Sequence, residues 1–306
     1  MTAAAGRPQG AILLSSYQQL DQFVRAFADG QLNLLFLLGR PGVQKSRIVH
    51  AAVGSRAGWI DGSATAFGLY RELYRHRDEL VVLDDVDGLY RDRAALRLLK
   101  CVCQTEPIKR VAWHSDAATL RHEGIPRSFE TRSHLAIIAN ELRTPNVNVR
   151  AVQDRGHIIV FEPSAVEVHL RAARWFWDQA VFDFIGGNLQ LAERLSMRDY
   201  TLGWELKQAG LDWQDWLLTK WGLSGTRRLV ARLKADCSFQ SEQQRVQAFI
   251  AQGGGCRATY YNQARKLRPT VAVPKVRLES SPPDLAPATV SLLELLRQRF
   301  KDLGQG

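Results

Sequence analysis

The chain has 306 residues, 45% of them hydrophobic and 24% charged, with a formal net charge of +10. That apolar content supplies a folded core and excludes global disorder, while its apolar runs are too short for a membrane span or a signal peptide, so a soluble cytoplasmic protein with no membrane partner is expected. Four cysteines, Cys101, Cys103, Cys237 and Cys256, show neither metal-ligand spacing nor disulfide density, as suits a reducing compartment.

In chain order, Ser15 and Ser16 are positioned to cap a helix carrying Leu20, Phe23, Val24 and Phe27, ended by Gly30. Leu34 to Leu38 is an apolar strand ending at Gly39. A helix through Ile48, Val49 and Val53 and a strand at Trp59–Ile60–Asp61 follow, then an amphipathic helix from 64 to 77. Leu80–Val81–Val82–Leu83 runs into Asp84–Asp85, which marks a buried parallel strand delivering carboxylates to the sheet edge where α/β folds bind ligands. A helix at 92–103 and a strand at Val111–Trp113 come next, and 116–132 reads as an exposed excursion. Leu135 to Ala139 is a strand closed by Asn140, and a helix at 146–153 leads to the strand His157 to Phe161. Alternation of this kind implies an α/β domain with a mostly parallel sheet.

Between the first strand and its helix lies Gly39–Arg40–Pro41–Gly42–Val43–Gln44–Lys45–Ser46. A strand, a tight loop and a helix start are the context a phosphate-binding loop needs. Backbone N–H groups at the helix N-terminus favour bound phosphate. Lys45 would reach the outer phosphates of a nucleotide, and Ser46 would bind Mg²⁺. The pattern departs from G-x-x-x-x-G-K-[ST] at Gln44, where glycine is usual and a side chain would strain the loop or crowd the nucleotide.

After Pro163 the pattern is helical only. Ser164 and Ser196 open helices, Phe182–Ile185 and Leu189–Leu195 read as shorter helical pieces, and Trp175, Trp177, Trp213, Trp216 and Trp221 are core tryptophans of a small helical domain. From 222 to 270 nine Lys/Arg stand against Asp236 and Glu242, a polyanion-binding footprint. Ser241 opens a helix, Gly253–Gly254–Gly255 turns, and 257–267 forms a second, basic helix, which together describe a helix-turn-helix. Arg257, Thr259, Tyr260, Asn262, Gln263, Arg265 and Lys266 are the candidate contacts to double-stranded DNA. A proline-rich linker (271–288) and a C-terminal amphipathic helix (289–306) end the chain.

The stretches LGRPGVQKS, LVVLDDVD, LAIIAN and VQDRGHIIVFEP, with an α/β domain (1–162) followed by a helical lid (163–222) and an appended basic module (223–270), resemble AAA+ P-loop ATPases of the clamp-loader, helicase-loader and transposition type. The resemblance covers roughly residues 15–210. It implies that Lys45 and Ser46 hold phosphate and Mg²⁺, that Asp84 serves the metal, and that Asp85 stands where the family's water-orienting glutamate does, one methylene shorter. Asn140 matches the sensor-1 residue. Arg155, with Arg150 as its rival, matches the arginine finger that acts on a neighbouring subunit, and Arg198 matches the sensor-2 arginine. A homo-oligomeric, DNA-binding ATPase acting in replication initiation, helicase loading or transposition, with a protein partner from one of those processes, is the expectation. A hydrolysis-deficient DNA-binding scaffold and a partner-remodelling ATPase without DNA affinity are its rivals.

Overall fold

A computed structural model describes residues 8, 10–114, 118–140, 154–236, 238–267 and 276–278. The expected helix at 146–153, Arg150, the linker apart from residues 276–278, and the C-terminal helix lie outside the described residues. The chain divides into two compact units, Met1–Ser164 and Ala165–Gly306.

In the first unit the short apolar runs become β1 (Ile12–Leu14), β2 (Leu34–Leu38), β3 (Ala57–Asp61), β4 (Leu80–Asp84), β5 (Lys109–Ala112), β6 (Ser128–Thr131), β7 (Leu135–Ala139) and β8 (His157–Phe161). Between them stand α1 (Tyr17–Ala28), α2 (Lys45–Val53), α3 (Ala66–Arg75), α4 (Arg93–Val102) and α5 (Ala118–His122). Among the described residues one sheet has the order β1-β8-β2-β7-β4-β3, with every neighbouring pair parallel. Parallel strands are covered on both faces, which is why LLFLL of β2 and LAIIA of β7 are buried at all positions. Alternate residues Leu34, Phe36, Leu38, Val81, Leu83, Leu135 and Ile137 join one core with Leu69, Leu73, Leu96 and Leu99 of α3 and α4. Their neighbours Leu35, Leu37, Val82, Ile138, Ile159 and Phe161 face the other way and are also buried. Burying each such side chain contributes about 1.5–3 kcal/mol, so the central strands anchor everything attached to their ends.

Two expectations need correction. The strand expected at Val111–Trp113 does not join the main sheet: β5 pairs antiparallel with β6 as a separate ribbon. The excursion 116–132 is accordingly packed against the domain, with Leu120, Ile125 and Phe129 in the core. Tyr70 explains the docking, because its hydroxyl donates to Pro126 O at 2.7 Å and its ring lies 5.4 Å from Phe129 and 5.9 Å from Trp113. Arg71 of α3 adds an ion pair to Glu123. Beneath the ribbon, buried Lys109 donates to Asn33 Oδ1 (2.6 Å) and Ser133 O (2.5 Å), tying β5 to the starts of β2 and β7. Burial holds its ammonium pKa below the usual lysine value.

The second unit is helical among the described residues: α6 (Ala165–Ala172), α7 (Gln179–Gly187), α8 (Met197–Gln208), α9 (Trp213–Lys220), α10 (Gly225–Ala235), α11 (Glu242–Ala251) and α12 (Arg257–Lys266). Ser241 forms a capping box at the start of α11, and at the start of α8 the Asp199 carboxylate accepts from Ser196 N (2.7 Å). Leu189–Leu195, read as a helical piece, forms turns instead. His169 is buried between Phe182, stacked at 3.9 Å, and the Tyr200 hydroxyl at 2.8 Å. Within this unit the helices before and after 222 pack together: Arg228 of α10 bonds Thr219 Oγ1 (2.9 Å) and pairs with Asp215 (3.2 Å) of α9, and Gln190 donates to Leu267 O (2.9 Å).

Candidate functional site

The strands of a parallel sheet all finish at one edge, and several candidate polar residues of the first unit collect there. Gly39 follows β2, β4 ends at Asp84, and Asn140 follows β7. Because β7 lies between β2 and β4, Asn140 falls between the loop and the carboxylate. Lys45 is 7% exposed, and its ammonium donates to Gly39 O (2.5 Å), Arg40 O (3.0 Å) and Asn140 Oδ1 (3.3 Å). The Ser46 hydroxyl donates to the Asp84 carboxylate. Burial raises the Asp84 pKa above the usual aspartate value; Ser46 and Lys45 oppose that rise, while the charges of Asp85 and Asp61 add to it.

The loop is built around an unusual backbone. Gln44 has φ +65° and ψ +23°, the left-handed conformation that favours glycine. It is the N-cap of α2, and its side chain makes no capping hydrogen bond, so the N–H groups of the first turn of α2 are open to an anion. Asp85 also has a positive φ, +55°, which aspartate tolerates better than most residues. Its backbone N–H donates to Ile138 O at 3.1 Å, and its side chain is exposed. Gly39 is required for a different reason: a Cβ there would sit 2.5 Å from Phe161 O. Three braces that the sequence did not announce hold the loop. Tyr17 donates to Val43 O (3.3 Å) and packs edge-on against Phe161, and Arg40 donates to Pro163 O (3.1 Å). Tyr17 reads as an ordinary core residue of α1, so only the fold brings it to the loop.

A phosphate-type loop on a central parallel strand, with the Asn140 strand set between it and the Asp84 strand, decides the architecture. The fold is that of the AAA+ P-loop ATPases. No family model matches the chain. An uncharacterised 36.7 kDa protein of Enterobacteria phage T4, from the nrdC–mobD intergenic region, is 26% identical over 149 residues, which is 46% of this chain and 44% of that protein, so the chain spans less than half the length of that relative. Among solved structures the chain is similar to the Thermotoga maritima RuvB Holliday junction branch migration motor (14% identity, 81% of this chain and 86% of that one, TM-score 0.40). It is also similar to Drosophila ORC bound to DNA (13%, 86% and 75%, TM-score 0.37) and to C. elegans PCH-2 (14%, 67% and 67%, TM-score 0.36). These likenesses are distant.

The remaining expected residues are placed as follows within their own units. Arg155 precedes β8, at the sheet edge opposite the loop, and its guanidinium donates to Lys100 O at the end of α4 (2.6 Å). Arg198 is exposed in the first turn of α8, in the second unit. On α12 the side chains of Arg257, Asn262, Arg265 and Lys266 are exposed, and Thr259 and Gln263 are half-buried. Tyr260 is 0% exposed, which removes it from any surface contact. It packs edge-on against Phe249, and its hydroxyl donates to Glu242 Oε1 (3.0 Å). Burial, followed by that bond, raises its pKa. The aromatic on the surface is Tyr261, with the Arg257 guanidinium 5.6 Å from its ring centre. Charge counting overstated this face, because Arg228, Arg232, Lys234 and Arg245 pair with Asp215, Asp212 and Glu242. Among the described residues no helix is long and apolar enough to cross a membrane.

Proposed function

We propose that the chain binds and hydrolyses ATP at the Gly39–Ser46 edge, works as a homo-oligomer, and binds duplex DNA through α10–α12. The observation that carries this reading is the gathering of two hydrogen-bonded pairs, Lys45 with Asn140 and Ser46 with Asp84, at the C-terminal edge of the sheet. The donor set fits a hard cation, since the Ser46 hydroxyl and Asp84 carboxylate are both oxygen ligands. A Mg²⁺ held there would neutralise charge on the β- and γ-phosphates. Lys45, now bonded to loop carbonyls, turns to the outer phosphates, and Asn140 orients the terminal one. Asp85 accepts the hydrogen bond of the attacking water.

Arg155 fits a finger acting in trans. β8 has five residues, so a strand of that length separates Arg155 from its own sheet's ligand edge by about 16 Å. Its partner would be ATP on an adjacent subunit, where it would stabilise transition-state charge. On α12, Arg257, Tyr261, Asn262, Arg265 and Lys266 present the charge and amide groups that phosphates and base edges take. Replication initiation, helicase loading or transposition are the processes in which such a switch serves.

A second reading, ATP binding with little turnover, is favoured by the positive φ at both Gln44 and Asp85 and by the shorter carboxylate of Asp85. Titration calorimetry with a slowly hydrolysed ATP analogue and Mg²⁺ tests the shared core of both readings. Binding to the wild-type chain that weakens at least about tenfold, about 1.4 kcal/mol, in Lys45→Ala supports it, and equal binding by the two proteins overturns it.

A further inference from the structure

α4 has a basic face that the ATPase reading does not use. Arg91, Arg93 and Arg97 are exposed, Lys100 is half-exposed, and none of the three arginines pairs with a carboxylate among the described residues. The one acid in this segment, Asp92, is committed to capping: its Oδ1 accepts from Ala94 N (2.7 Å) and Ala95 N (3.2 Å). Residues 93, 97 and 100 follow i, i+4, i+7 spacing, so they form one stripe about 10 Å long. The other side of the helix, Ala95, Leu96, Leu98, Leu99 and Val102, is buried in the core. The stripe is therefore rigidly aimed at solvent.

We infer that this face of α4 is a second nucleic-acid surface, contacting the phosphate backbone without reading sequence. Each DNA strand carries a phosphate about every 3.4 Å of axis, so a 10 Å stripe meets about three. No amide or aromatic side chain lies on the stripe, which suits charge contact and not base readout. The position of α4 gives the contact a consequence. The helix starts a short turn after Asp84–Asp85, and at its far end Arg155 holds Lys100 O. DNA seated on α4 thus bears on the element that joins a subunit's own carboxylates to the arginine offered to its neighbour. The inference rests on the DNA-binding reading for its choice of polyanion.

The test is anisotropy of a short fluorescent duplex of arbitrary sequence, titrated with the full chain over a series of salt concentrations, for wild type, R93A/R97A, R93K/R97K and R257A/R265A. Each lost phosphate contact lowers the slope of log affinity against log salt by about 0.9, so R93A/R97A should be shallower by about two, R93K/R97K unchanged, and R257A/R265A reduced independently. An unchanged slope in R93A/R97A with wild-type binding intact overturns the α4 surface alone. No duplex binding by the wild-type chain removes the DNA reading and this inference together. Loss of self-association by R93A/R97A in ATP without DNA makes the stripe a subunit contact and also overturns the inference.

Discussion

Replacing Gln44 with glycine should make the first unit more stable. The backbone at 44 holds φ +65° and ψ +23°, a conformation costing an L-residue about 1–2 kcal/mol relative to its ordinary wells. Glycine removes that cost but brings extra freedom to the unfolded chain, returning about 0.5–1 kcal/mol. The Gln44 side chain makes no capping bond, so no cap contact is lost with it. The net gain is about 0.5–1 kcal/mol, a rise in Tm of about 1–4 °C for a unit of this size. Gln44→Ala keeps the left-handed cost and should change Tm little. Gln44→Val adds branching at Cβ, which this conformation rejects, and should lower it. Scanning calorimetry of the three variants, without nucleotide, reads the order Gly, Ala, Val directly. A glycine variant less stable than wild type, or a valine variant equal to alanine, would refute the loop conformation on which the nucleotide site is built.

Burial holds His169 neutral in the folded state, at a pKa of about 4 against an ordinary 6.5. Stability is therefore full above pH 6.5 and falls as pH drops toward 4, by up to about 3 kcal/mol, and urea midpoints across that range should flatten in His169→Gln. Tyr260→Phe should cost about 1 kcal/mol of stability through the lost bond to Glu242 while leaving duplex affinity unchanged; Tyr261→Ala should do the reverse, with urea unfolding and anisotropy separating the two. Arg155→Ala and Lys45→Ala subunits, each inactive alone, should regain ATP turnover when mixed, because a mixed interface pairs an intact loop with an intact arginine. Mixtures as inactive as their parts would place Arg155 in a purely structural role at Lys100 O.

The elements legible from sequence were those whose signal is local. β2, β4 and β7 are apolar runs closed by Gly39, Asp84–Asp85 and Asn140, so the strands, and the candidate residues that their ends bring to one edge, were readable. The separate β5–β6 ribbon was not, because pairing is a long-range property: contacts such as Tyr70 with Pro126 and Phe129, and Arg71 with Glu123, show that 116–132 is anchored. β1 escaped because three residues carry little pattern. Tyr260 was misassigned because adjacent tyrosines in a basic helix look alike, and only the helix phase, with Phe249 beneath it, decides which faces inward. The role of Tyr17 is invisible in sequence, since 26 residues separate it from Val43. At Gln44 the sequence signalled strain correctly, and the backbone supplies the reason.

The most direct test of the central claim is steady-state ATP turnover by the full chain with and without duplex DNA, beside Lys45→Ala and Asp85→Ala. The account predicts turnover that DNA raises and that both substitutions abolish. Turnover that persists in Lys45→Ala would contradict it, because the sheet edge that holds the Lys45–Asn140 and Ser46–Asp84 pairs would then not be where ATP is hydrolysed.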